Sequence, residues 1–177
     1  SKEGLPHLLR VVELGGAEGD IFGLIGFCYL QAGAVSSALD AYRTALLHAP
    51  RSRDWRLGKV QCLVQLGQHR EAAGMLDELI SETPADAGLW LLQANTFVAN
   101  GAPADAAVNL EIVRQMGKAT PTSLALLGDI YINANQPDLA RGTQSRENLE
   151  AIHAALRKRL AVDEIRVCPH DDADGCG

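Results

Sequence analysis

Apolar residues recur along the chain at the spacing of one helical face, and glycine or proline interrupts them at regular intervals. In the best-defined stretch, large or small apolar residues stand at i, i+3, i+4 and i+7, which predicts an amphipathic helix. A second helical stripe follows after Gly33, and Pro50 ends it. The two stripes together predict a helix hairpin. Their residues are Phe22, Ile25, Gly26 and Tyr29, then Ala38, Tyr42 and Ala45.

The hairpin pattern repeats every 34 residues. A turn column contains Gly33, Gly67, Gly101 and Asn135. A small-residue column contains Ala38, Ala72, Ala106 and Ala140, and a large-residue column contains Tyr29, Leu63, Phe97 and Tyr131. Asn tolerates the left-handed backbone better than most residues, so it can replace Gly in the turn column. Small residues such as Gly26 and Ala38 should let the two helices approach closely, while Tyr29 and Tyr42 fill the space around them.

These columns resemble the tetratricopeptide repeat, whose order is large, Leu, Gly, Tyr, then Ala, Phe, Ala and Pro. Trp55 departs from the pattern, because it stands one position before its column. The resemblance implies an all-α, right-handed solenoid of helix hairpins with a C-terminal capping helix and a short irregular tail. The expected segments are a half repeat (1–18), repeats 19–52, 53–86 and 87–120, a degenerate fourth repeat (121–144), a capping helix (145–161) and a tail (162–177).

In this family the first helices of successive repeats line a concave groove that binds peptides or protein segments. Gln61, Asn95 and Asp129 are 34 residues apart, so we expect them to stack along the groove, where amides can hold an extended backbone. The alternative is that these are simply solvated polar positions. The groove positions are Phe27, Leu30, Gln31, Gln61, Val64, Gln65, Asn95, Val98, Ala99, Asp129, Ile132 and Asn133.

The groove positions carry no Lys or Arg, and Arg56 and Lys59 fall on neighbouring faces. Members of the family that clamp a C-terminal carboxylate use basic groove residues, so we expect no such clamp here. A groove of mixed apolar and amide character favours neutral or weakly basic segments. The expected function is therefore a non-catalytic scaffold whose partner is a protein or peptide, and exposed solenoid ends could also allow self-association.

The repeat pattern fails after Ala140, because Gln144 and Glu147 replace apolar positions and Gly142 falls inside the expected helix. A new apolar stripe then begins in another frame. Ser145 suits its N-cap, which predicts the capping helix. The stripe contains Leu149, Ile152, Leu156 and Leu160.

Residues 135–177 also resemble a fragment of the zinc-containing phosphatases of the haloacid-dehalogenase type that act on histidinol phosphate and heptose bisphosphate. The resemblance implies that Cys168, His170 and Cys176 form a zinc loop, and their side chains suit tetrahedral zinc. Two alternatives stay open: a disulfide between the two cysteines, or an inert acidic end. The only Asp-x-Asp pair, Asp172 and Asp174, lies in this loop and not after a buried strand, so a phosphatase fragment would be catalytically incomplete.

Composition agrees with a helical scaffold and narrows its partners. The 177 residues carry a net charge of −6, are 47% hydrophobic and only 5% aromatic. An acidic chain lacks the basic face that nucleic acids require, and no stretch is apolar enough to span a membrane. We therefore expect a soluble protein that is not an enzyme and requires no cofactor; its compartment is left open, with the cytoplasm favoured. Cys28 and Cys62 occupy equivalent positions and should pack as small apolar residues.

Overall fold

The computed structural model describes residues 4–16 and 18–134, and within this range the chain is helical and contains no strand. The expected all-α helical-repeat architecture is confirmed. The end of the fourth repeat, the capping helix and the tail lie outside the described residues. The helices are α1 (Gly4–Glu13), α2 (Gly19–Gln31), α3 (Val35–His48), α4 (Arg53–Gln65), α5 (His69–Glu82), α6 (Ala87–Ala99), α7 (Pro103–Gln115) and α8 (Pro121–Asn133).

Consecutive helices pair as hairpins. The pairs α2–α3, α4–α5 and α6–α7 fall within residues 19–52, 53–86 and 87–120, and α8 begins the next segment. We call α2, α4, α6 and α8 the first helices, and α3, α5 and α7 the second helices. Helix α1 packs against α2, as the second helix of an earlier repeat would. The chain divides into two compact units between Leu79 and Ile80, within α5.

A glycine with left-handed backbone follows each of the helices α2, α4 and α6, two residues after the helix ends. Gly33, Gly67 and Gly101 have φ of 78°, 73° and 72°. At the first of these turns, Ala34 N donates to Tyr29 O at 2.9 Å and Gly33 N donates to Leu30 O at 3.0 Å, which is the Schellman arrangement. The same pair of bonds recurs one and two repeats later. The 34-residue glycine column therefore marks the point where each hairpin turns.

The core of the first unit is built around Tyr42, which is 2% exposed. A Cβ at Gly26 on α2 would lie 3.0 Å from three atoms of its ring, and a Cβ at Gly58 on α4 would overlap the ring from the other helix. The phenol ring thus occupies the space that two glycines leave open. The structure thus contains the expected close approach of α2 and α3 at Gly26. Helix α4 approaches Tyr42 closely in the same way, through Gly58.

The second unit has an apolar core between α6, α7 and α8. Trp90 is fully buried, and its Nε1 donates to Pro84 O at 2.8 Å. Polar groups are buried beside this core as well: Gln93 and Asn109 are fully buried, and Glu111 is 2% exposed. The apolar cluster comprises Ala94, Ala106, Ala107, Leu110, Leu127, Ile130 and Tyr131.

Candidate peptide-binding faces

The outward face of α2 is apolar at its centre and polar at its ends. Asp20, Leu24, Phe27 and Gln31 stand at i, i+4, i+7 and i+11, and all four are exposed. Leu24 is 46% exposed and Phe27 is 47% exposed. The opposite side of α2 carries the buried residues Gly23, Ile25 and Gly26, which pack into the unit. The helix therefore presents two large apolar side chains to solvent even though it already has a buried face.

Helix α4 packs beside α2 and carries exposed residues at the equivalent repeat positions. Asp54, Gln61 and Gln65 are exposed at i, i+7 and i+11, and Val64 is half-buried. We call the surface formed by Asp20, Leu24, Phe27, Gln31, Asp54, Gln61, Val64 and Gln65 the α2–α4 face. Its centre offers apolar contact, and its carboxamides offer both donors and acceptors.

Trp55 joins the two helices of this face. Its indole covers Gly23 of α2 so closely that a Cβ there would overlap the ring. Its Nε1 donates to Asp20 Oδ1 at 3.3 Å. The ring also lies 6.2 Å from the Tyr42 ring, centroid to centroid, at a tilt of 32°. Trp55 therefore bridges the successive first helices α2 and α4.

Because Trp55 stands one position early, Arg56 occupies the position that is equivalent to Phe22 and Trp90 in the neighbouring repeats. Arg56 is 5% exposed. Arg56 Nη2 lies 3.4 Å from Glu78 Oε2, and Lys59 Nζ lies 3.0 Å from Glu71 Oε1. Both glutamates are on α5, so these cations are held against the second helix of their own hairpin. They do not reach the α2–α4 face, as their sequence positions indicated.

In the second unit, the outward residues of α6 and α8 form comparable surfaces. Val98 is 40% exposed and Ile132 is 61% exposed, and these two residues are 34 positions apart. Both helices pack on α7 through the apolar cluster, so their outward sides remain free of it. The exposed residues Asn95, Val98 and Ala99 form what we call the α6 face. The exposed residues Asp129, Ile132 and Asn133 form the α8 face.

The twelve sequence-predicted groove residues are thus either exposed or, at Leu30 and Val64, half-buried. Six of them lie on helices of the first unit and six on helices of the second. Their role in binding stays a prediction. Four residues here were not among the predicted groove positions: Asp20, Leu24 and Asp54 on the α2–α4 face, and Trp55 beside it. A signal was present: Asp20 and Asp54 are one period apart, and each precedes a predicted groove residue by seven positions.

The buried thiol and phenol groups of the first unit are structural. Burial raises the pKa of Tyr42 to about 12, and the nearby Cys62 and Cys28 add to this effect. Burial also raises the pKa of the Cys62 thiol. Both cysteines are free thiols. A thiol with a raised pKa is a poor nucleophile, because the reactive form is the thiolate. This agrees with a packing role for Cys62, which is fully buried.

Between residues 4 and 134, Ala17 apart, no three His, Cys, Asp or Glu side chains are placed to hold a metal ion. The zinc loop predicted at Cys168, His170 and Cys176 lies outside the described residues, as does the whole stretch with the phosphatase resemblance. It stays a prediction. None of the helices in this same range is long and apolar enough for a bilayer span.

Comparison with known proteins agrees with this architecture. Residues 29–96 match the family model described as tetratricopeptide repeat, which confirms that resemblance for the centre of the chain. The chain is similar in fold to MamA from Desulfovibrio magneticus RS-1, with a TM-score of 0.71, 15% identity, and coverage of 88% of this chain and 85% of that one. A second MamA crystal structure gives a TM-score of 0.71 at 12% identity, covering 87% of this chain and 89% of that one. Comparison with curated protein sequences gives no match.

Proposed function

We propose that this chain is a non-catalytic protein-interaction scaffold that binds extended segments of a partner protein on the outward faces of its first helices. The observation that carries the proposal is the exposure of large apolar residues on these faces. Phe27, Val98 and Ile132 are 47%, 40% and 61% exposed, although each helix already buries its other side. Apolar side chains clustered on one solvent face and rimmed by polar groups are typical of interaction surfaces.

The polar groups beside these apolar residues suit a peptide backbone. Each carboxamide can donate and accept at once, so it can pair with an N–H and a C=O of an extended segment. Carboxamides stand next to the apolar residues on every first helix. They are Gln31, Gln61, Gln65, Asn95 and Asn133, all exposed. The tetratricopeptide resemblance supports the same function, because these positions correspond to the ligand-facing side of that family.

A selection from a random peptide library, displayed on phage and captured by the immobilised protein, tests the proposal directly. A recovered peptide is then synthesised, and its affinity is measured by fluorescence anisotropy. For peptides that bind the first unit, Phe27→Ala should weaken binding roughly tenfold, because an aromatic anchor of an interface contributes on the order of 1–2 kcal/mol. The double change Gln61→Ala and Asn95→Ala should weaken partner binding while leaving helicity intact.

Leu47 provides the matched control. It is 82% exposed and lies on the second helix α3, away from the proposed faces. Leu47→Ala removes comparable exposed apolar surface and should leave affinity unchanged. Circular dichroism of each variant checks that the helices persist. The proposal is wrong if the library yields no binding peptide, or if Leu47→Ala weakens binding as much as Phe27→Ala.

A further inference from the structure

We infer that the α2–α4 face selects peptide segments in which a lysine or arginine stands close to a large apolar residue. This inference rests on the proposed function and adds the chemistry of the bound segment. It follows from charge complementarity between the apolar centre of the face, formed by Leu24 and Phe27, and the carboxylates of Asp20 and Asp54 at its edge. In addition, Arg56 and Lys59 of α4 are held against α5 and not on this surface.

The two carboxylates are placed by helical geometry. Asp20 precedes Phe27 by seven residues, and Asp54 precedes Gln61 by seven. Because seven residues are close to two helical turns, each carboxylate lies on the same face as the groove residue that follows it. Both aspartates lie in the first turn of their helices and are exposed. An apolar side chain bound over Phe27 would therefore have the Asp20 carboxylate about two turns away along α2, and Asp54 stands at the equivalent position of the neighbouring helix α4.

Asp20 is held in place by its neighbour. The 3.3 Å hydrogen bond from Trp55 Nε1 engages one carboxylate oxygen, Oδ1, and the carboxylate remains exposed. The indole of Trp55 is fixed against Gly23 and is only partly buried. A carboxylate beside an aromatic ring suits a guanidinium or ammonium group, which can form a charge-assisted hydrogen bond and also contact the ring face.

Two cations of α4 are held away from this edge, because Arg56 and Lys59 are bonded to Glu78 and Glu71 on α5. Arg53 borders the face, about 20° around α4 from Val64, since an α-helix has 3.6 residues per turn. Helix α2 carries a single charged residue, Asp20, within Gly19–Gln31. A cation supplied by a bound segment would therefore meet the Asp20 carboxylate on a helix that carries no basic group.

The second unit supplies an internal contrast. One and two periods beyond Asp54, the equivalent positions are Gly88 and Thr122, which carry no charge. The α6 face thus keeps the apolar and amide character but lacks a carboxylate, whereas the α8 face carries Asp129 beside Ile132. Selection for a cation should therefore be stronger on the α2–α4 face than on the α6 face.

The test uses the full chain and the same random peptide library. Peptides recovered by the parent protein and lost with Phe27→Ala should be enriched in Lys and Arg beside an aliphatic or aromatic residue. For one synthesised peptide, replacing its Lys or Arg by Gln should weaken binding. Asp20→Asn and Asp54→Asn should each weaken it about twofold to fivefold, the range of an exposed ion pair. Asparagine keeps an oxygen that can accept the Trp55 bond, so the face stays intact.

Asp105→Asn is the matched control, because Asp105 is also an exposed first-turn aspartate but lies on the second helix α7. It should leave affinity unchanged, and raised salt should weaken the parent complex. The inference is overturned if Phe27-dependent peptides show no cationic enrichment, or if the Asp20 and Asp54 variants bind as the parent does. That result would leave the proposed function standing. Failure to recover any peptide would instead overturn both.

Discussion

Asn109 on α7 donates from its Nδ2 to Gln93 Oε1 on α6 at 2.9 Å, and both side chains are fully buried. Gln93 stands in the column that holds Ile25 and Leu127 in other repeats. The same Nδ2 also lies 3.3 Å from Trp90 O. A buried amide is tolerated at an apolar position because the facing helix supplies its partner. The Asn109–Gln93 pair therefore joins α6 to α7 in this hairpin.

Substitution of Asn109 should show how much stability the buried Asn109–Gln93 hydrogen bond contributes. Asn109→Ala removes the donor to Gln93 and leaves a buried carbonyl oxygen without that bond, so we expect a loss of about 1–3 kcal/mol in unfolding free energy. The double change Asn109→Ala with Gln93→Ile copies the Ile25 and Ala41 pair of the first hairpin. Urea denaturation should show that the double variant loses less than the sum of the single variants. Strict additivity would mean that the two amides do not cooperate.

The Tyr42 ring should make Gly58 intolerant of a side chain. Gly58→Ala places a methyl group against the ring, and overpacking of this kind costs about 1–3 kcal/mol. Gly74→Ala is the control, because Gly74 lies inside helix α5 with nothing near its Cβ position. That change should stabilise the protein by about 0.5–1 kcal/mol through helix propensity. Thermal denaturation of both variants measures the contrast, and equal effects would contradict the assigned packing.

Alkaline pH should destabilise the first unit through Tyr42. Burial raises the pKa of Tyr42 to about 12, above the value near 10 for a tyrosine in an unfolded chain. The neutral phenol therefore contributes its stability fully below about pH 10, and this contribution is lost as the pH rises through about 12. Near-ultraviolet absorbance of tyrosinate should follow the late ionisation. Tyr42→Phe should remove that part of the alkaline loss, and an unchanged profile would contradict the prediction.

Gly101 should require a residue that accepts a positive φ. It follows α6 with φ of 72°, and the space around its Cβ position is open. Gly101→Ala should therefore cost roughly 1 kcal/mol from backbone strain alone. Gly101→Asn should cost less, because Asn enters the left-handed region more readily. Chemical denaturation of the two variants side by side ranks them, and the reverse order would be inconsistent with a backbone origin.

The zinc prediction for the C-terminal loop has a direct assay. If Cys168, His170 and Cys176 bind the metal, elemental analysis should find about one zinc per chain, and Cys168→Ser should abolish it. Thiol titration under denaturing conditions separates the alternatives, since a disulfide would protect both cysteines. Metal-free protein with reactive thiols would leave the inert acidic end as the remaining interpretation.

Much of the fold is readable from single columns of the sequence. The glycine column predicted the left-handed turns at Gly33, Gly67 and Gly101, because few other residues accept that backbone. The alternating helical stripes predicted each hairpin because one apolar face per helix must be buried. Single columns do not explain Trp55. Its deviation by one position is typical of a weakened repeat, yet the side chain bridges to Asp20 and Gly23 of the preceding first helix.

The sequence by itself determined the local periodicity: where helices begin and turn, which face of each is apolar, and which positions repeat. These properties depend on residues close together in the chain. Tertiary structure alone decided which polar residues would be buried and with what partner, as with Gln93 and Asn109. Tyr131 on α8 is a second example, since its hydroxyl donates to the buried Glu111 Oε1 on α7 at 2.9 Å. A polar group can be buried only if its hydrogen bonds are satisfied, and in these two pairs the bonded residues are 16 and 20 positions apart in the chain.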